Sequence, residues 1–201
     1  MNFLKKNKVW ESVFDYIYAN SIEIVGFVLT ILSIWLNTKQ NPWGWGVGIL
    51  SILCYIYVFA SVWLLGDFLL NIYFFITSIY GWYLWKFGKK GEKLLPVTHI
   101  SLSEIKILLL IGIVGSLLLG ILLNSYPQAA VPYWDAETTA FSLIGQWLLV
   151  RKKLENWLVW IFVNVQYVAI YFYKDLIATS LLYVILTILA FKGWQDWKKS
   201  L

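Results

Sequence analysis

Seven apolar runs alternate with short polar punctuation along this chain, and that spacing predicts its elements. The first run extends from about Ile22 to Leu36, with Glu23 near its start, and stops at NTKQN. The second begins at Pro42 and Trp43 and continues to about Val62; the third covers Asp67 to Trp85, before the basic loop KFGKKGEKLLPVTHI. A fourth opens at SLSE, a capping box in which Ser101 and Glu104 satisfy each other's exposed amides, and reaches about Leu123. Pro127 and Pro132 mark a loop ending at Trp134 and Asp135, and a short fifth run, about Thr138 to Val150, closes at RKKLEN. The sixth is NWLVWIFVNVQYVAIY, Asn156 to Tyr171, and after Lys174 and Asp175 the seventh covers about Leu176 to Trp194. Runs of this kind are membrane-span candidates, because roughly 20 residues of helix cross a bilayer's hydrocarbon. Residues 9–20 differ: Trp10, Val13, Phe14 and Ile17 share one face opposite acids, which predicts a short helix lying in the interface.

Composition agrees with a polytopic membrane protein. Of 201 residues, 60% are hydrophobic and 13% charged, and the mean hydropathy is +0.70. Seven spans use up this length, so no separate catalytic domain is expected. One cysteine, Cys54, and one histidine, His99, exclude a disulfide framework and any metal site built from several such ligands. The net charge of +5 does not predict nucleic-acid binding, because the lysines sit in loops between apolar runs. Lys5, Lys6 and Lys8 precede a segment broken by Glu11 and Asp15, with no cleavage pattern, so the N-terminus is not expected to be a removable signal.

The runs also repeat. Trp45 and Trp160 are 115 positions apart, as are Asn41 and Asn156, whereas the closing motifs GWYLW (Gly81 to Trp85) and GWQDW (Gly193 to Trp197) are offset by 112. This predicts three extra residues in the first copy, near Phe59 to Trp63. Runs one to three then correspond to runs five to seven, with the fourth as linker: an all-α membrane protein of seven helices arranged 3+1+3. An odd intervening helix keeps both triplets in the same orientation, making parallel repeats about the membrane normal. The expected division is an interfacial helix at 1–20, a first repeat at 21–86, a basic loop and linker at 87–124, and a second repeat at 125–198. Four of the 16 Lys and Arg residues lie with the N-terminus and 12 with the C-terminus, which predicts a cytoplasmic C-terminus.

Candidate chemistry lies mid-span, among uncharged groups. On a helix Trp160, Asn164, Tyr167 and Tyr171 share one face, so rings and one amide stand together. Ser142 and Gln146, Asn71 and Ser78, Thr179, Tyr183 and Thr187, and Gly48, Ser51 and Tyr55 also recur at helical spacing. Trp45 is a further cavity candidate, as a repeat mate of Trp160. Single Ser and Thr residues are expected to bond back to their own helix, while Asn71, Gln146 and Asn164 have more polar atoms to satisfy. Gly112, Ser116 and Gly120 make a smooth stripe that predicts close helix packing. No carboxylate lies mid-span to carry a coupling proton, and no phosphate-binding glycine loop is present, so the residues read as a passive facilitator. A membrane-embedded enzyme would need Glu23, Asp67 and Asp135 to converge, and a non-transporting subunit would use the Gly112 stripe as its oligomer contact. Trp82, Trp85, Trp194 and Trp197, near span ends, are candidate gates.

The runs WGWGVGILSILCYIYVF and LLGDFLLNIYFFITSIYGWYLW, together with SLIGQWLLVRKKLENWLVWIFVNVQYVAIYFYKDLIATSLLY and GWQDW, resemble PnuC-type vitamin transporters over most of residues 21–198. WxxxN at Trp160 to Asn164, ENW at Glu155 to Trp157 and the paired GWxxW motifs carry the resemblance. It implies a SWEET-like fold, a trimer, and facilitated diffusion of nicotinamide riboside trapped by a cytoplasmic kinase, without a cofactor; thiamine and riboflavin are alternative cargoes. It also implies that Gln146, Trp160, Asn164 and Asn71 touch substrate; for such a cargo, Trp160 and Tyr167 are expected to stack on the ring. The chain departs from the pattern at LIAT, Leu176 to Thr179, which leaves the choice of cargo open.

Overall fold

The computed structural model describes residues 21–61, 65–88, 95–126, 131–173 and 177–201. The expected interfacial helix, Trp63, Lys89, Lys90, Lys93, Pro127, Lys174 and Asp175 lie outside these residues, as does the side chain of Asp67. Among the described residues seven helices form: α1 (Ser21–Thr38), α2 (Trp43–Ser61), α3 (Leu65–Phe87), α4 (Leu102–Asn124), α5 (Pro132–Val150), α6 (Asn156–Tyr173) and α7 (Ile177–Lys198). At 18 to 23 residues each, they are about 27–35 Å long, which matches a hydrocarbon core about 30 Å thick.

Local chemistry sets the ends. The capping box at Ser101 and Glu104 forms as expected. Gly88, at φ 67, ends α3, its N–H donating to the Leu84 carbonyl 2.9 Å away. The fifth helix begins at Pro132, six residues before the expected Thr138, because proline suits a first helical position, where its missing N–H would have no partner. Both GWxxW motifs lie within the last turns of α3 and α7, which continue to Phe87 and Lys198.

Six of the helices close a ring. Contacts run α1 to α2, α2 to α3, α3 to α5, α5 to α6, α6 to α7 and α7 back to α1, while α4 packs outside against α5. Exchanging the triplets maps the α3–α5 seam onto the α7–α1 seam, so the ring has a pseudo-two-fold axis along its centre. The outside position of α4 fits its sequence: it has the highest mean hydropathy among the apolar helices, 2.6, yet only 11% of it is buried. A Cβ on Gly112 would lie 2.9 Å from Phe141, and one on Gly120 would run into the Tyr133 ring. The stripe therefore seats α5 within the chain and is not an oligomer contact.

Side-chain contacts fix the repeat register, and they correct the expected one. A Cβ on Gly81 would lie 2.8 Å from the Trp45 ring, and one on Gly193 2.5 Å from the Trp157 ring. Trp45 meets Trp85 edge-on at 5.3 Å, and Trp157 meets Trp197 edge-on at 5.2 Å. Gln40 (φ 54) and Lys152 (φ 50) are the non-glycine residues with positive φ among those described, one in each α1–α2-type loop. Every one of these pairs is offset by 112 positions, so Trp45 corresponds to Trp157, not Trp160, and no three-residue insert is needed. Tryptophans recur so closely here that residue identity alone could not choose between the two alignments.

Candidate functional site

The ring interior is layered along its axis. At the end carrying the C-terminus, four tryptophans form a plug in the order Trp45, Trp85, Trp197, Trp157, with Trp85 and Trp197 in contact at 5.7 Å across the pseudo-two-fold axis. All four are at most 2% exposed. The Trp85 indole donates to the Val150 carbonyl at 3.0 Å, and the Trp197 indole donates to the Asn37 carbonyl at 3.1 Å. Each triplet thus supplies a donor to the other. The indole N–H groups of Trp45 and Trp157 are buried without an acceptor among the described residues.

Beside the plug the loop from Arg151 to Glu155 is pinned by the extended segment 95–100. Thr98 exchanges backbone hydrogen bonds with Lys152 and Leu154, Glu155 accepts from His99 and from the Ile100 amide, and Arg151 pairs with Glu104 at 2.9 Å. Lys152, 5% exposed, places its ammonium 4.6 Å from the centre of the Trp85 ring. Burial lowers its pKa from the ordinary 10.5 to about 8.

The next layer is polar. Gln146 of α5 reaches across the seam to α3, its amide nitrogen 3.3 Å from the Thr77 hydroxyl and 3.4 Å from that of Ser78. Trp160 packs beside Gly145 of α5 and faces Phe74 of α3, ring centres 6.4 Å apart. Asn71, Phe74, Ser78, Gly81 and Trp85 recur at three- and four-residue steps and so share one face of α3. On α6 the corresponding face carries Trp157, Trp160, Asn164, Tyr167 and Tyr171. Asn164 is 4% exposed, and its amide atoms are not among the fully buried unpaired atoms of the described residues.

A second aromatic group closes the layers. Tyr167 and Tyr183 lie 4.6 Å apart, Tyr171 and Tyr183 stack at 5.3 Å, and Tyr167 and Tyr171 stack at 5.7 Å. Tyr55 lies near enough to Tyr183 to interact with it electrostatically, and it is the repeat mate of Tyr167. Helical rise puts Tyr167 about 15 Å along the axis from Trp157, with Asn164 between them. The interior thus runs from an indole plug, through a band holding two amides and two hydroxyls, to a tyrosine cluster. Among the described residues there is no group of His, Cys, Asp and Glu able to hold a metal ion.

Such layering leaves polar groups between two aromatic layers of a pseudo-symmetric ring. Residues 20–199 match the family described as "Nicotinamide mononucleotide transporter". The chain belongs to that family. It is 28% identical to the nicotinamide riboside transporter PnuC of Escherichia coli, over 89% of this chain and 85% of that one. It is 25% identical to the riboflavin/roseoflavin transporter RibM of Streptomyces davaonensis, covering 87% and 83%. The crystal structure of the vitamin B3 transporter PnuC has the same fold, with a TM-score of 0.72 at 21% identity over 96% of this chain and 86% of that one. The chain is therefore a multi-pass membrane protein of a transporter family, not an enzyme.

Within that frame the sequence-derived candidates separate. Trp160, Gln146, Asn164 and Tyr167 lie on the helix faces that meet in the middle and upper layers, with Tyr55 and Tyr183 in the tyrosine cluster. Asn71 lies on the same face of α3 as Phe74, one turn further from the plug. Trp45 stands in the plug and not beside Trp160. Thr187 donates to the Tyr183 carbonyl of its own helix at 2.7 Å, as expected of a lone threonine. Of the gate candidates, Trp85 and Trp197 form the plug's centre, while Trp82, which also meets Trp43 at 5.5 Å, and Trp194 border it half-buried. Sequence reasoning missed Phe74 and Thr77, because an aromatic or threonine in an apolar run carries no distinctive pattern. Lys152 carries no such pattern either, because in sequence a loop lysine reads only as a topology signal.

Proposed function

We propose that the chain is a facilitator for nicotinamide riboside in a bacterial inner membrane. The observation that carries this reading is the Asn164 side chain: 4% exposed as a residue, absent from the fully buried unpaired atoms and so still reachable at its amide, and on one helix face with Trp160 and Tyr167. An amide that makes no side-chain bond to another described residue and stays reachable has both its donor and its acceptor available to a ligand's carboxamide and ribose hydroxyls. In this reading Trp160 and Tyr167 stack on the pyridinium ring, whose delocalised charge is held by ring faces without a carboxylate. Asn164, Gln146 and Asn71 bind the carboxamide and hydroxyls. The first repeat (21–86) and the second (125–198) rock against each other. The tryptophan plug and the tyrosine cluster close the two mouths. The C-terminus faces the cytoplasm, flow is downhill, and a cytoplasmic kinase traps the cargo for NAD synthesis; the assembly is a homotrimer, as the family resemblance implies.

Calorimetric titration of the detergent-purified protein with nicotinamide riboside, thiamine and riboflavin tests the cargo. Selective binding of nicotinamide riboside is expected. Asn164→Leu should weaken that binding by about 1–3 kcal/mol, and an unchanged affinity removes Asn164 from the site. Riboflavin is the second reading, favoured by the likeness to RibM; its tighter binding would keep the architecture and change the cargo.

A further inference from the structure

Lys152 is buried where no anion among the described residues meets it. Its ammonium lies over Trp85, and the nearby acceptor is the Gln40 amide oxygen at 3.5 Å, the edge of hydrogen-bonding reach. Among the described residues, the acids around it are engaged elsewhere and the other cations are paired or exposed. In the α1–α2 loop Lys39 pairs with Asp196 of α7 at 2.9 Å, and Lys192 also approaches Asp196; Lys198 and Lys199 are exposed. In its own loop Arg151 pairs with Glu104 of α4, Glu155 with His99 of the extended segment, and Lys153 donates to the His99 carbonyl; on α3, Lys86 lies over Phe87. A desolvated ammonium is costly, and here aromatic faces supply the compensation.

We propose that the tryptophan plug is an aromatic subsite for an organic cation, occupied at rest by the Lys152 ammonium, which cationic cargo must displace to pass. The inference rests on the reading of the cargo as a pyridinium. Lys152 acts as a tethered cation on the ring face that a pyridinium would visit, and the unpaired indole N–H groups of Trp45 and Trp157 offer donors to the cargo's hydroxyls and carboxamide. The repeat shows that the backbone does not require a cation: Gln40 holds the same left-handed conformation at the matching position. The depressed pKa of Lys152 agrees with this placement, since the resident cation loses its charge through about pH 8.

Proteoliposome transport of oxidised nicotinamide riboside, a cation, and of its uncharged dihydropyridine form, measured from pH 7 to 9, tests the proposal. Wild-type flux of the cationic form should rise through pH 8. Lys152→Gln should be fast and flat across this range, about 2- to 30-fold above wild type at pH 7, and Lys152→Arg slow and flat. The uncharged form should respond to neither pH nor substitution. Lys152→Gln with the wild-type pH slope, or both cargo forms changing together, overturns the proposal while leaving the cargo assignment intact. Absence of nicotinamide riboside binding to the wild type by calorimetry overturns the cargo assignment and this inference with it.

Discussion

Lys152 ties a single side chain to the stability of the whole. In the unfolded chain it holds its proton to about pH 10.5, and in the folded chain only to about 8. Between these values the unfolded state binds more protons, so stability rises as pH increases across that window. Thermal unfolding in detergent at pH 7.5 and 9.5 should show a higher Tm at the upper pH, and Lys152→Met should remove that difference. Gly193 is a second such position: Gly193→Leu places carbon within the Trp157 ring's space and should cost about 1–3 kcal/mol, read as a lowered Tm. Thr187→Val should leave substrate affinity unchanged, because its hydroxyl is already bonded to Tyr183. The Trp160–Asn164 face was legible in the sequence because an amide stands out in an apolar run. Lys152 was not, because a loop lysine looks the same whether its amine faces water or a ring.

At the level of elements, hydropathy located all seven helices but not their partners. The Gly112 stripe announced close packing, and the structure supplies the neighbour, α5. Gly112→Leu and Gly120→Leu should each detach α4 from α5. The expected outcome is faster proteolysis within residues 87–101, with nicotinamide riboside affinity retained because the ring excludes α4. Loss of affinity would show that the linker helix supports the site. The start of α5 was misplaced because Thr138 begins its apolar stretch, whereas Pro132 begins its hydrogen-bonded one; hydropathy reports the first and backbone geometry the second.

For the molecule as a whole, parallel repeats were legible from paired GWxxW motifs, while their register needed the Gly81–Trp45 and Gly193–Trp157 contacts. The two donors are repeat mates and their acceptors, Val150 and Asn37, lie within one residue of the same register, so Trp85→Phe and Trp197→Phe, each removing one indole bond to a carbonyl of the other triplet, should destabilise by similar amounts, about 0.5–1.5 kcal/mol. Unequal shifts in Tm beyond that range would show that one seam dominates. These crossed bonds also bear on how the chain is made. The Trp85 donor waits 65 residues for its acceptor, and the Asn37 acceptor waits 160 residues for its donor. A nascent chain emerging from the ribosome therefore carries an unclosed first triplet in the bilayer until the last turn of α7 is synthesised, and chains halted before Trp197 should be the ones that quality-control proteases remove.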